Sequence, residues 1–190
     1  TPLSDESAEK FIAQRPYFLY IGRHDPYKNV RRVIEAFAAL GSRNCQLWIA
    51  GSPDPRYTPA LQQQVRELEA SDRVQFLDYV PYAHLPLLLS RAIALVFPSL
   101  WEGFGIPVLE AMACGTPVIT SNCSSLPEVA GDAALFVDPY NVGAIAAAMR
   151  QMLDDGETRS QLVQRSLERA RLFSWEKTGR QTREVLRSHL

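Results

Sequence analysis

The 190 residues fall within the range of one domain and suffice for a sizeable buried core. Hydrophobic residues make up 46% of the chain and charged residues 22%, and the formal net charge is −1. No field of one sign covers the molecule, which argues against bulk nucleic-acid binding and leaves any phosphate recognition to a local site.

Taken in chain order, the opening "TPLSDESAEKF" is polar and acidic and does not read as a signal peptide. "YFLYIG" (17–22) predicts a buried strand ending in glycine. "VRRVIEAFAAL" (30–40) sets Val30, Val33, Ile34, Phe37 and Leu40 on one helical face. "QLWIAG" (46–51) is a second strand, and "ALQQQVRELEA" (60–70) a helix aligning Leu61, Val65 and Leu68. "VQFLDYV" (74–80) is a third strand, "YAHLPLLLSRA" (82–92) a short helix despite Pro86, and "IALVFPS" (93–99) a fourth strand. Its apolar run "AIALVF" is far too short to span a bilayer.

A helix follows at about 107–114, with Pro107 in its first turn and Gly115 and Pro117 as its stop. "PVITS" (117–121) and "ALFVD" (134–138) are the fifth and sixth strands. Helices close the chain at about 141–153, 158–173 and 175–188. Continuous apolar strands alternating with helices predict an α/β fold: a doubly wound, Rossmann-like parallel sheet with helices on both faces. Cys45, Cys114 and Cys123 form no CxxC pair. They read as buried small hydrophobes in a reducing compartment.

Ligands of such sheets lie at the carboxyl ends of the strands. That rule singles out "GRHDPYKN" after strand one, "DYVPY" after strand three, "SLWEGFG" after strand four and "SNCSS" after strand five. Arg23 and Lys28 in the first loop have the fork and the compact charge to grip a diphosphate, or are a pair of solvated loop charges. Gly103 and Gly105 would let backbone N–H groups approach a ligand at a helix start. A full GxGxxG fingerprint is absent. Glu102 and Glu110 flank that helix start. A ligand with a phosphate between two hydroxyl-bearing rings would place a ring before each carboxylate, and a nucleotide sugar has this form. The alternatives are an exposed loop acid for Glu102 and, for Glu110, a charge–dipole pairing in the first helical turn.

At these residues the sequence resembles the C-terminal half of GT-B glycosyltransferases of the large retaining family four. The likeness covers nearly the whole chain. It rests on Glu-x7-Glu within "EGFGIPVLE", on "GRHDPYKN", on "VQFLDYVP", on "EAMACGTPVITSNCSSLPEVAGDAALFVDP" and on "FSWEKTGRQTREVLRSHL". It implies a nucleotide-sugar (donor) binding domain over 1–190, with the N-terminal acceptor domain absent and the chain an excised piece. Gly22, Arg23 and Lys28 would hold the diphosphate, with the backbone of Gly103, Phe104, Gly105 and Ile106. Tyr79, Val80 and Pro81 would lie against the base. Glu110 would take the ribose and Glu102 the transferred sugar. Arg23, Lys28 and Glu102 are the catalytic candidates. No metal and no cofactor beyond the donor substrate are implied. The mannosyltransferase-like branch suggests GDP-mannose as donor, with UDP-hexoses open and the acceptor unidentified.

The partner implied is the protein's own N-terminal domain, on which the last helix would pack, leaving apolar positions near the cleft exposed. The location implied is cytoplasmic, with any peripheral contact to the inner membrane face made through the missing half. The rival readings are a nucleotide-sugar epimerase or phosphorylase of the same fold, and a non-catalytic nucleotide-binding module. His24, His84 and His189 read as ordinary loop or surface residues, since no partner carboxylate or nucleophile accompanies them at a meaningful spacing. Trp48, Trp101 and Trp175 read as core or cleft aromatics, Trp101 being notable beside Glu102.

Overall fold

The computed structural model describes residue 13, residues 15–42 and residues 44–188. His189 and the opening eleven residues lie outside the described residues. Six strands, β1 (Tyr17–Ile21), β2 (Gln46–Ala50), β3 (Val74–Asp78), β4 (Ala94–Phe97), β5 (Val118–Ser121) and β6 (Leu135–Val137), form one parallel sheet in the order β3-β2-β1-β4-β5-β6. This is the doubly wound order, in which the direction of winding reverses between β1 and β4. Phe18 faces Ala94 across that central pair, and Leu19 faces Trp48 on the other side.

Eight helices accompany the sheet among the described residues: α1 (Val30–Ala39), α2 (Thr58–Glu67), α3 (Leu85–Arg91), α4 (Ile106–Ala113), α5 (Leu126–Ala130), α6 (Val142–Asp154), α7 (Gly156–Ala170) and α8 (Trp175–Ser188). Helix α1 packs on α2 and α6, while α4 packs on α3, α5 and α7. The two groups cover the two faces, so β4 is buried throughout and β1 in all but Ile21, as their unbroken apolar runs require. Tyr17 stacks on Trp48 with ring centroids 4.2 Å apart and donates its hydroxyl to the Leu88 carbonyl at 2.7 Å.

Several helix bounds differ from the sequence reading. Helix α2 starts at Thr58, two residues early, because Pro59 is accommodated in the first turn and the Asp54 carbonyl accepts the Thr58 N–H at 2.8 Å. Pro86 does not disturb α3: it sits in the first turn, after a short 3-10 turn at Tyr82–His84. Helix α5, which the sequence did not suggest, is a five-residue turn with Pro127 at its start. Cys45 is buried, but Cys114 and Cys123 are only partly so. Trp48 is a core residue, whereas Trp175 is 82% exposed and is neither core nor covered. His24 and His84 are buried rather than surface residues.

At the carboxyl edge, β1 and β2 leave the sheet almost in contact. Gly22 donates to the Ala50 carbonyl at 2.9 Å, and Gly51 donates to the Asp78 carbonyl at 2.9 Å. A Cβ on Gly51 would lie 1.9 Å from the Gly22 carbonyl oxygen, a backbone atom that cannot rotate away. Gly51→Ala is therefore expected to destabilise the fold by about 3 kcal/mol or more, the upper range for forced overpacking. Urea unfolding of the variant measures it, and a loss below about 1 kcal/mol would show that the two loops separate freely.

Candidate functional site

Sheets of this kind bind ligands in a crevice at the winding reversal, and here the loops after β1 and β4 meet at that point. In the first loop, the 3-10 turn at Pro26–Lys28 is followed by Asn29, which adopts left-handed dihedrals (φ 63°, ψ 24°). Asparagine tolerates this conformation better than other residues with a side chain. The buried Asn29 amide donates to the Pro98 carbonyl at 2.9 Å and to the Pro139 carbonyl at 2.7 Å. Its oxygen accepts from Arg32 at 2.9 Å. One side chain thus joins the loops after β1, β4 and β6. The Leu100 N–H donates to the Tyr27 carbonyl at 2.7 Å and strengthens the same seam.

This seam brings Lys28 against Glu102. Lys28 Nζ lies 2.6 Å from Glu102 Oε1, with side chains 14% and 11% exposed. The ammonium also lies 5.2 Å from the Tyr27 ring centroid and 5.4 Å from that of Phe97. The loop carrying Glu102 is held by the loop after β5. The Glu102 N–H donates to the Ser124 hydroxyl at 2.9 Å, the Ser124 hydroxyl donates back to the Glu102 carbonyl, and the Ser125 hydroxyl donates to the carbonyls of Glu102 and Phe104 at 3.0 and 2.9 Å. Arg23 sits at the mouth, its side chain 71% exposed, 3.1 Å from the Asp25 carboxylate and 3.0 Å from the Tyr27 hydroxyl. Trp101 is exposed beside them and meets the Tyr27 ring edge-on at 6.4 Å.

The chain then enters α4 through Gly105 (φ 101°), where a Cβ would meet Leu126 Cδ2 at 2.6 Å. Glycine is required there by backbone conformation and by Leu126, whereas a Cβ on Gly103 would enter open space. Among the described residues, the N–H groups of Phe104, Gly105 and Ile106 have no acceptor. With the positive end of the helix dipole, they make a donor-rich helix start of the kind that attracts anions. Phe104 and Ile106 are themselves exposed, and the Phe104 ring packs edge-on against Phe173 at 5.9 Å.

Glu110 falls in the second turn of α4, and the first turn contains no acidic residue. Its pKa is raised by burial, with a hydrogen bond from Tyr82 partly offsetting this. The helix dipole acts mainly within the first turn, so the charge–dipole reading, which placed Glu110 there, does not fit its position. Of the loop after β3, Tyr79 and Pro81 are exposed and Val80 is buried in the core. Tyr82, not Tyr79, is the aromatic that reaches Glu110. No group of three or more His, Cys, Asp or Glu side chains among the described residues is placed to hold a metal ion.

His24 belongs to the scaffold. Its Nδ1 is 2.7 Å from the Thr58 hydroxyl at the start of α2, its ring meets Phe76 edge-on at 5.9 Å, and its Nε2 is buried without a hydrogen-bond partner. Burial lowers its pKa, against the carboxylates of Asp54, Asp78 and Asp25 that favour the charged form. Asn29, Tyr82, Ser124 and Ser125 lie in loops that the strand-end rule singles out, but their own roles in building the site do not show in the sequence. Asn29 directly before an amphipathic helix reads as a cap, but its side chain makes no capping bond and instead reaches partners 69 and 110 residues away.

With this geometry in hand, known proteins give a consistent comparison. The family model for "Glycosyl transferases group 1" matches residues 4–169. The O-antigen chain mannosyltransferase B of Escherichia coli is 40% identical over 173 residues, 90% of this chain and 45% of that protein. Sucrose-phosphate synthase from Thermosynechococcus elongatus superposes with a TM-score of 0.85 at 31% identity, over 98% of this chain and 49% of that one. The Anabaena protein HepE, solved in complex with UDP and glucose, superposes with a TM-score of 0.87 at 21% identity, over 96% of this chain and 51% of that one. The chain thus spans about half the length of the proteins it matches.

The buried His24 sets a pH dependence. Its folded pKa lies below its unfolded value of about 6.5, so the unfolded chain binds more protons as pH falls through that value. The stability it contributes is complete above about pH 6.5 and declines as pH drops towards the folded pKa. Urea midpoints measured between about pH 7.5 and 5.5 should fall more steeply for the wild type than for His24→Gln. Parallel slopes would contradict this role.

Proposed function

The chain belongs to the group 1 glycosyl transferases, and on that premise we propose that residues 1–190 form the donor-binding half of a retaining GT-B hexosyltransferase. The donor is a nucleotide sugar, with GDP-mannose first and UDP-hexoses next. Mannosyltransferases among the relatives, from Escherichia coli and Salmonella typhimurium, support the first choice. The UDP and glucose bound by HepE support the ligand class. The observation that carries the reading is the convergence of Lys28, Glu102 and the unpaired N–H groups of Phe104–Ile106 at the β1/β4 winding reversal.

In this reading the diphosphate lies before the start of α4. Negative charge builds on it as the sugar–phosphate bond breaks. Lys28, Arg23 and the fixed N–H dipoles of Phe104–Ile106 stabilise that charge, and the dipoles need no reorientation to do so. Glu110 accepts from the ribose hydroxyls, with Tyr82 beside it. Tyr79 and Pro81 border the base, and Val80 anchors their loop in the core. Glu102 accepts from hydroxyls of the transferred sugar. A second, acceptor-binding domain completes the cleft. Helix α8 supports it: none of its residues is buried, and Trp175 and Leu186 are exposed. Among the described residues no helix is long and apolar enough to cross a membrane. Any membrane contact is assigned to the second half, at the cytoplasmic face.

Calorimetry tests the assignments. Arg23→Ala should weaken GDP binding, and Lys28→Ala GDP-mannose binding, by about 1.5 kcal/mol, roughly tenfold, and each should weaken guanosine binding much less. Equal losses for both ligands would make the loop structural. Glu110→Gln should weaken GDP but leave its 2′,3′-dideoxyribose analogue nearly unaffected, because the analogue has no hydroxyl to donate. Equal loss for both would refute the ribose assignment. Residues 1–190 alone should transfer no sugar, since positioning both reactants supplies much of a group-transfer rate. Turnover by this domain with donor and acceptor would refute the two-domain reading.

A further inference from the structure

The Lys28–Glu102 pair has a consequence beyond two separate contacts. The two residues come from loops 74 positions apart, and their side chains are almost fully enclosed. Lys28 Nζ is flanked by the rings of Tyr27 and Phe97 and held by Glu102, so an anion that takes the ammonium competes with that carboxylate. The backbone of Glu102 is held on both its N–H and its carbonyl by Ser124, with Ser125 on the carbonyl as well. Its carboxylate can therefore leave Lys28 by side-chain rotation while the loop stays in place.

Removing one partner of an enclosed ion pair leaves the other charge uncompensated, at a cost larger than the pair's own net worth. A diphosphate that takes Lys28 strands Glu102 beside a second anion. A sugar attached to that diphosphate brings hydroxyl donors to the stranded carboxylate. A bare nucleoside diphosphate brings none.

We infer that the Lys28–Glu102 pair discriminates the intact donor from the nucleoside diphosphate left after transfer, by making Lys28 available at low cost only to a ligand whose sugar satisfies Glu102. The inference rests on the proposed donor site. Its product is a built-in bias towards releasing the spent nucleotide.

The test is calorimetry of wild type and Glu102→Gln with GDP and GDP-mannose, and with UDP and UDP-glucose as the second pair. The amide keeps the side chain's shape but removes the charge that holds Lys28. The variant should bind the nucleoside diphosphate more tightly, on the order of tenfold. It should gain less for the sugar conjugate, so the preference for the conjugate narrows by a similar factor. Unchanged or weaker diphosphate binding by Glu102→Gln, with the wild type binding normally, would overturn the inference and leave the donor site standing. Failure of the wild type to bind either pair would instead overturn the donor site itself. Should circular dichroism find the variant unfolded, the crystal structure of the wild type with GDP-mannose decides. Glu102 parted from Lys28 and hydrogen-bonded to the sugar hydroxyls supports the inference, and an intact pair in that complex overturns it.

Discussion

The buried amide of Asn29 is the constraint on which the candidate site depends. Its two N–H groups reach the carbonyls of Pro98 and Pro139, tying the exits of β4 and β6 to the loop after β1. Without it, two enclosed carbonyls would lose their donors, at about 1–3 kcal/mol for each buried group left unsatisfied. The left-handed backbone at Asn29 turns the chain from the 3-10 segment into α1. That turn directs the preceding residue, Lys28, across the winding reversal to Glu102. Asn29 touches no proposed ligand position, yet Lys28 inherits its placement.

The crevice divides into rigid and adjustable parts. Its walls are held by backbone and hydroxyl contacts: Ser124 and Ser125 on the Glu102 loop, Ser121 on the Ser99 carbonyl at 2.6 Å, and Thr120 on the Phe97 carbonyl at 2.9 Å. The N–H groups of Phe104–Ile106 share that rigidity because they begin a helix. Such fixed dipoles are effective where charge develops, since they need not reorganise. Arg23 is the adjustable part: its carbonyl accepts from the Tyr20 hydroxyl at 2.9 Å, while its exposed side chain reaches Asp25 and Tyr27. The Lys28–Glu102 pair stands between the two, enclosed but joined by side chains alone.

The sheet was legible in the sequence because both its faces are covered. "YFLYIG", "QLWIAG" and "IALVFPS" read as strands for the reason they are buried. The loops that form the crevice followed from strand order and chain direction. Local turn chemistry was read less well. Pro86 looked like a disturbance and is a first-turn residue, the helix expected from residue 60 starts at Thr58 with Pro59 in its first turn, and the five residues of α5 are too few to show a helical period. Long-range polar contacts were not legible at all. The burial of His24 depends on Thr58, 34 residues on, and the Lys28 partner is 74 residues away. The Glu-x7-Glu spacing marked both acids, but their environments differ: Glu102 meets a lysine, and Glu110 a tyrosine in a partly apolar setting.

The central claim is that an anion of the nucleoside diphosphate class occupies the crevice between the β1 loop and the start of α4. Amide chemical shifts of the nitrogen-15-labelled domain, followed during titration with GDP and with UDP, test it most directly. The account predicts that the largest changes for the ligand that binds fall at Phe104, Gly105 and Ile106 and along residues 22–29, with α8 unmoved. Changes centred on α8, or spread evenly while the amides at the start of α4 stay still, would contradict it.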